Sequence, residues 1–124
     1  GDSFGLATDI GYVTKGIAAA LLGCRQVVIE SNHDVDMLMR GPYPADLKRR
    51  VRSSHGHLSN ADCAEFALDL VKNGTRAIML AHLSRENNEP EIAFDEVANA
   101  ISGFDVGLYV ADPFSPVELL IPKR

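Results

Sequence analysis

The sequence has 124 residues, of which 46% are apolar and 23% charged, and its formal net charge is −5 at pH 7. This length and composition predict one globular domain with its own core and exclude a disordered chain. The longest apolar run, 17–23, is far shorter than the roughly 20 residues that cross a bilayer, so we expect neither a membrane span nor a signal peptide.

The first half of the chain is predicted to alternate strands and helices. Its predicted elements are a strand over Phe4–Thr8, a helix from Thr14 to Gly23, a strand over Gln26–Ile29, a short helix capped by Asp34 that runs through Met39, and a helix that begins at Pro44. In this last helix, Leu47 and Val51 are expected to face the core while the basic residues face outward.

The second half contains the strongest helical pattern, from Ser59 to Asn73, where apolar residues recur every three or four positions. The other predicted elements are a strand over Ala77–Ala81, a helix from Pro90 to Gly103, and two closing strands, Val106–Val110 and Val117–Ile121, expected to form a hairpin. This order predicts a layered protein of sheet and helices.

The two cysteines, Cys24 and Cys63, lie in apolar segments without C-x-x-C spacing. They are interpreted as reduced core thiols, which favours a cytoplasmic location.

Polar residues follow the predicted strands at the points where each strand ends. Asp9, the Asn32-His33 pair and His82 take these positions, and the pair His55 and His57 precedes the Ser59 helix. Strand ends are where layered α/β proteins build their sites. Each residue alone also has a structural interpretation, as a turn aspartate or a satisfied histidine.

Glu30 and Asp34 lie at the ends of a strand and a helix, where capping accounts for them.

The charge is unevenly distributed. Between Arg40 and Arg52 lie five basic residues against the single acid Asp46, which gives this stretch +4 and leaves −9 for the rest of the chain. A basic segment on an acidic body favours an anionic ligand at one place, although a solvated helix face is the commoner explanation.

An acid and two histidines at element boundaries form the donor set of a metal-assisted hydrolase. Four segments carry a resemblance to a family: T-D-I-G (8–11), E-S-N-H-D (30–34), H-G-H-L-S-N (55–60) and A-H-L-S-x-E-N-N (81–88). They resemble the second half of metallo-β-lactamase-fold hydrolases. They are most similar to a bacterial group of DNA exonucleases linked to a cell-wall regulator, related to RNase Z and to the cyclic phosphodiesterase of phosphonate metabolism.

The resemblance implies a role for individual residues. Asp9 matches the aspartate that bridges two metal ions, and His82 matches the last metal-ligand histidine. His57 matches the histidine that protonates the leaving oxygen in the phosphodiesterase branch. His33 is expected to line the substrate groove, while His55 receives no role.

If the chain is part of such an enzyme, we expect the basic stretch Arg40–Arg52 to lie beside the cleft. Its Arg49 and Arg50 would there bind backbone phosphates of a nucleic acid or a small phosphodiester substrate without reading sequence.

The H-x-H-x-D-H cluster typical of that family does not occur in this chain. We therefore expect an α+β fold that forms the C-terminal half of a four-layer αββα sandwich, with one mixed sheet and its covering helices. Two divalent ions, Zn²⁺ or Mn²⁺, are implied for the full-length protein, with weak or absent binding by this chain alone. The missing N-terminal half or a second chain would then complete the site. The alternative is an inactive half that self-associates, as a possible homodimer, through its exposed sheet face.

Overall fold

The structure, a computed structural model, describes residues 4–7, 13–52 and 56–111. Nine elements lie in these ranges: β1 (Phe4–Ala7), α1 (Lys15–Leu21), β2 (Gln26–Glu30), α2 (Val35–Arg40), α3 (Ala45–Arg52), α4 (Asn60–Lys72), β3 (Ala77–Ala81), α5 (Pro90–Ala100) and β4 (Gly107–Val110). The predicted order of strands and helices is confirmed over this part of the chain. None of the described helices is long and apolar enough to cross a membrane.

The four strands form one sheet in the order β1-β2-β3-β4, and every neighbouring pair is parallel. Each strand is separated from the next by at least one helix, which is the connection that parallel pairing requires. The expected half of an αββα sandwich has a mixed sheet. The second strand of the predicted closing hairpin, Val117–Ile121, lies outside the described residues. In the described part the sheet is purely parallel.

The hydrophobic core lies on one face of this sheet. Val27 and Ile29 of β2 and Ile78 and Leu80 of β3 are fully buried there, and they belong to one cluster with Leu70 of α4. Residues of α1 and α5 join the same cluster. These helices therefore cover a single face of the sheet, since the alternate strand residues point the other way.

The opposite face is most open at the edge strand β1. Phe4 is 58% and Leu6 61% exposed, whereas Met79, in the same row of side chains on β3, is buried. The expected exposed apolar face is thus found at the edge of the sheet, while its centre at Met79 is covered.

Three helices begin as the sequence predicts, each with a side chain that caps the first turn. The Thr14 hydroxyl accepts a hydrogen bond from the Ile17 amide at 3.1 Å. The Asp34 carboxylate does the same for Met37 at 3.0 Å.

Ser59 caps α4 by accepting from the Asp62 amide at 3.1 Å. This cap fixes the start of the longest helix directly beside the segment that carries His57.

Helix α3 corrects one prediction. Leu47 is 36% exposed and no residue of α3 is fully buried, so the expected inward position of Leu47 is wrong. Five of the eight residues in this helix are charged, which leaves too narrow an apolar stripe to pack against the core. Val51 is half-buried.

Candidate functional site

The site is built at the carboxyl ends of β2 and β3. Beyond β2, the Ser31 amide donates to the Ala81 carbonyl at 3.0 Å and the Asn32 amide to the Leu58 carbonyl at 2.9 Å. The Asn60 amide then donates to the His33 carbonyl at 2.8 Å. The chain after β2 is therefore held between the end of β3 and the segment that leads into α4.

Glu30 lies at the centre of this arrangement and is fully buried. Its Oε2 is 2.7 Å from Nδ1 of His57, and its Oε1 is 3.2 Å from Nδ1 of His82. The two imidazole rings meet edge to face, with centroids 5.1 Å apart. One carboxylate thus orients both histidines through the same ring nitrogen.

This orientation decides which ring atoms are available for chemistry. With Nδ1 of each histidine on the carboxylate, Nε2 is the atom left to bind a metal ion or to carry a proton to a substrate. A carboxylate placed next to a histidine in this way fixes the tautomer and the orientation of the ring.

The backbone at His82 supports this geometry. His82 has a positive φ of 58° and is the only described non-glycine residue with that sign. Its carbonyl accepts a hydrogen bond from Nδ2 of Asn32 at 2.9 Å. The left-handed conformation costs about 1 kcal/mol or more for a residue with a side chain. The contacts of Asn32 and Glu30 hold the histidine in place against that cost.

Three buried polar side chains tie the loops of the site together. The Ser31 hydroxyl donates to Oδ1 of Asn60 at 2.6 Å, and the side-chain amides of Asn60 and Asn88 pair reciprocally at 2.9 Å. Asn88 also donates to the Ser31 carbonyl and accepts from the Glu89 amide, both at 2.9 Å. We call Ser31, Asn60 and Asn88 the polar network.

His33 is buried in the segment that follows β2. Its Nδ1 lies 3.3 Å from Oδ1 of Asn32, and the ring lines a pocket together with His57 and Arg52. Burial lowers the pKa of His33 from 6.5 to about 4, with a further contribution from the nearby His57. His33 is therefore a neutral side chain at pH 7.

We expect this pKa to make folding sensitive to acid. A histidine whose folded pKa is lowered stabilises the fold above pH 6.5, and this contribution is lost as the pH falls from 6.5 toward 4, because only the unfolded chain takes up the proton. Lowering the pH from 7 to 5 should cost about 1 to 2 kcal/mol through His33. Urea unfolding at both pH values should show a smaller loss for His33→Gln than for the unchanged protein. Equal losses would contradict this assignment.

The residues fit a divalent metal ion in two ways. Among the described residues, Glu30, His57 and His82 offer one ligand atom each within 4.8 Å of one another. In the first arrangement all three side chains would bind the ion. In the second, Glu30 would only orient the two histidine rings, and His82 would bind the ion through Nε2. We favour the second, because both carboxylate oxygens already face a ring nitrogen.

Four of the five basic residues of the basic segment lie on α3, and Arg40 ends α2. Arg49 and Arg50 are exposed on this helix, and Arg49 and Arg52 line a surface cavity with Lys48 and Met39. The Lys48 ammonium donates to the Met39 carbonyl at 2.8 Å. Arg52 also lines the pocket that contains His33 and His57, so the cationic surface extends from α3 to that pocket.

The structure brings together two of the residues singled out from the sequence, His57 and His82, with His33 beside them. Asp9 and His55 lie outside the described residues. The sequence interpretation is confirmed for Asp34, which caps α2, and wrong for Glu30, which caps no helix and contacts two histidines. The available signal was a carboxylate directly after the apolar run Val27–Ile29, where a buried position is expected.

Comparison with models of known protein families finds no match. Individual curated proteins do match. The chain is 40% identical over 120 residues to exodeoxyribonuclease YycJ of Bacillus anthracis, an alignment that covers 92% of this chain and 46% of that protein. It is also 43% identical over 108 residues to exodeoxyribonuclease WalJ of Streptococcus pneumoniae strain R6, which covers 87% of this chain and 40% of the relative. The chain is similar to exodeoxyribonucleases. It spans less than half the length of these curated relatives.

Proposed function

We propose that this chain is part of a metal-dependent phosphodiesterase acting on nucleic acid, with an exonuclease-like activity. The observation that carries the proposal is the pair of imidazoles oriented by one buried carboxylate at the strand ends. The similarity to proteins named exodeoxyribonuclease supports it. We further propose the metallo-β-lactamase sandwich as the complete fold, with an N-terminal half supplying the remaining ligands and this chain inactive alone.

In this proposal Asp9 and His82 are the metal ligands of this chain, for two Zn²⁺ or Mn²⁺ ions. When bound, such ions polarise the phosphodiester and make water a stronger nucleophile. His57 has a separate task. As the P–O bond to the leaving group breaks, the doubly protonated ring of His57 gives its Nε2 proton to the departing oxygen. The ring becomes neutral and keeps its Nδ1 proton on Glu30, which holds it in line for that transfer.

A titration and an activity assay test the metal assignment. Isothermal titration of the 124-residue chain with Zn²⁺ or Mn²⁺ should show weak or no binding, because two ions need about three protein ligands each. In a longer polypeptide that adds an N-terminal half with H-x-H-x-D-H, Asp9→Ala should abolish metal-dependent hydrolysis of bis-p-nitrophenyl phosphate. Asp95→Ala, an exposed acid on α5, is the matched control and should be fully active.

Submicromolar metal binding by this chain alone would contradict the division of the site between two halves. If Asp9→Ala retains activity, Asp9 is not part of the metal site.

The basic surface of α3 leads to a separate prediction. Arg49 and Arg50 are proposed to bind backbone phosphates without reading base sequence. Replacing both with alanine should weaken binding of double-stranded DNA several-fold and reduce the slope of log Kd against log salt by about 1 to 2, since each phosphate contact releases counterions. Fluorescence anisotropy over a salt series measures both. An unchanged slope would show that α3 is a solvated face.

A second candidate is an inactive half that self-associates through its uncovered sheet face. The exposure of Phe4 and Leu6 on β1 favours it. Assaying the longer polypeptide distinguishes the two candidates. An inactive half predicts no hydrolysis after the N-terminal half is added, whereas the phosphodiesterase predicts that hydrolysis appears.

A further inference from the structure

A pocket of about 220 Å³ opens directly beside His57, between the end of α3 and the start of α4. Its lining consists of His33, Val35, Arg52, His57, Ser59, Ala61 and Asp62. The volume is several times the roughly 30 Å³ share of one water molecule, so the pocket admits a group much larger than water.

The walls of this pocket differ in chemistry. Arg52 supplies a permanent cation and Asp62 a carboxylate, and both lie close enough to His33 to influence its ionisation. Val35 and Ala61 supply apolar surface. The opposite charges make the pocket poorly suited to a bare multivalent anion. They suit a ligand with an anionic group at one end and hydrogen-bond donors at the other.

The position of His57 indicates which part of a substrate enters. Since Nδ1 faces Glu30, the proton leaves from Nε2, and the leaving oxygen must lie within hydrogen-bond reach of that atom. The group attached to the leaving oxygen then extends past His57, and His57 itself lines this pocket, which gives that group a place to enter.

We propose that this pocket binds the nucleoside on the leaving side of the scissile phosphodiester. Arg52 binds the next phosphate of that nucleoside, and Asp62 accepts a hydrogen bond from its sugar or base. This assignment rests on the proposed function, and it adds Arg52 and Asp62 as determinants of substrate binding. Arg52 also lines the cavity with Lys48 and Arg49, so the strand leaving the pocket continues onto the basic surface of α3.

Binding is measurable on the 124-residue chain without turnover. Thymidine 3′-monophosphate and thymidine 5′-monophosphate are titrated separately in EDTA, and the ring signals of His33 and His57 are followed by NMR. We expect at least one nucleotide to shift both rings. Arg52→Ala should weaken that binding about five- to tenfold, because a charge-assisted contact to phosphate is lost.

Arg76→Ala is the matched control, since Arg76 directly precedes β3, at the opposite end of that strand from the site, and its guanidinium lies 4.0 Å from Asp105. This substitution should leave the affinity within twofold. Thymidine without phosphate should bind as weakly to the unchanged protein as the nucleotide binds to Arg52→Ala. Absent shifts, or equal affinity in Arg52→Ala, would overturn the proposal. Inorganic phosphate that binds as tightly as the nucleotide would overturn the nucleoside assignment. Because no hydrolysis is involved, failure here is distinct from failure of the metal-dependent activity.

Discussion

Replacing His57 with alanine should lower the rate of DNA hydrolysis by about 10²- to 10⁴-fold in the active, longer polypeptide, the usual contribution of a general acid. A departing sugar oxygen is a poor leaving group and needs the proton from Nε2. A nitrophenolate leaves readily without one. The same substitution should therefore reduce hydrolysis of bis-p-nitrophenyl phosphate much less than hydrolysis of DNA. Steady-state rates on the two substrates give the comparison.

Metal content provides the control for this prediction. If Glu30 only orients the ring of His57 and His57 is not a ligand, the His57→Ala protein should retain its metal ions. Atomic emission on the dialysed protein measures this content. Loss of a metal ion together with activity would instead make His57 a ligand alongside Glu30 and His82, the other arrangement that their spacing allows. Equal loss of rate on both substrates would contradict proton donation to the leaving group.

Replacing Asn88 with alanine should reduce the free energy of unfolding by about 2 to 4 kcal/mol. The substitution leaves the Asn60 amide and the Ser31 carbonyl without a partner in a buried place, and each such group costs about 1 to 3 kcal/mol. It also removes the acceptor for the amide of Glu89, at the start of α5. Urea denaturation at pH 7 measures the loss.

Asn73→Ala is the matched control for the polar network. Asn73 is exposed and its side chain makes one hydrogen bond within its own helix turn, to the Asp69 carbonyl at 2.7 Å. Its replacement should cost less than about 1 kcal/mol. If the two variants are equally stable, the polar network does not hold the loops together.

Much of the fold could be predicted because its signals are local. The caps of α1, α2 and α4 each involve residues three positions apart, so the side chain and its partner are visible together in the sequence. The strands are short apolar runs that end at polar residues. The positions of His33 and His82 at strand ends follow from the same pattern.

The contacts of Glu30 could not be predicted in this way. Its partners lie 27 and 52 residues further along the chain. The parallel pairing of β2 and β3 brings His82 to this edge, and the hydrogen bond from the Asn32 amide to the Leu58 carbonyl brings His57 there. A glutamate after a strand is equally compatible with a cap. The inward position predicted for Leu47 was wrong for a related reason. Helical periodicity shows which side of a helix is more apolar, but not whether that side reaches the core.

The strained backbone at His82 ties the conformation of the loop to the side chain that the loop carries. A glycine would adopt the same left-handed conformation without the steric cost. The same substitution would remove the imidazole that Oε1 of the fully buried Glu30 now faces, and a buried carboxylate that loses a partner destabilises the fold. Relief of the backbone and loss of the imidazole therefore come together at this position, and neither can be obtained without the other.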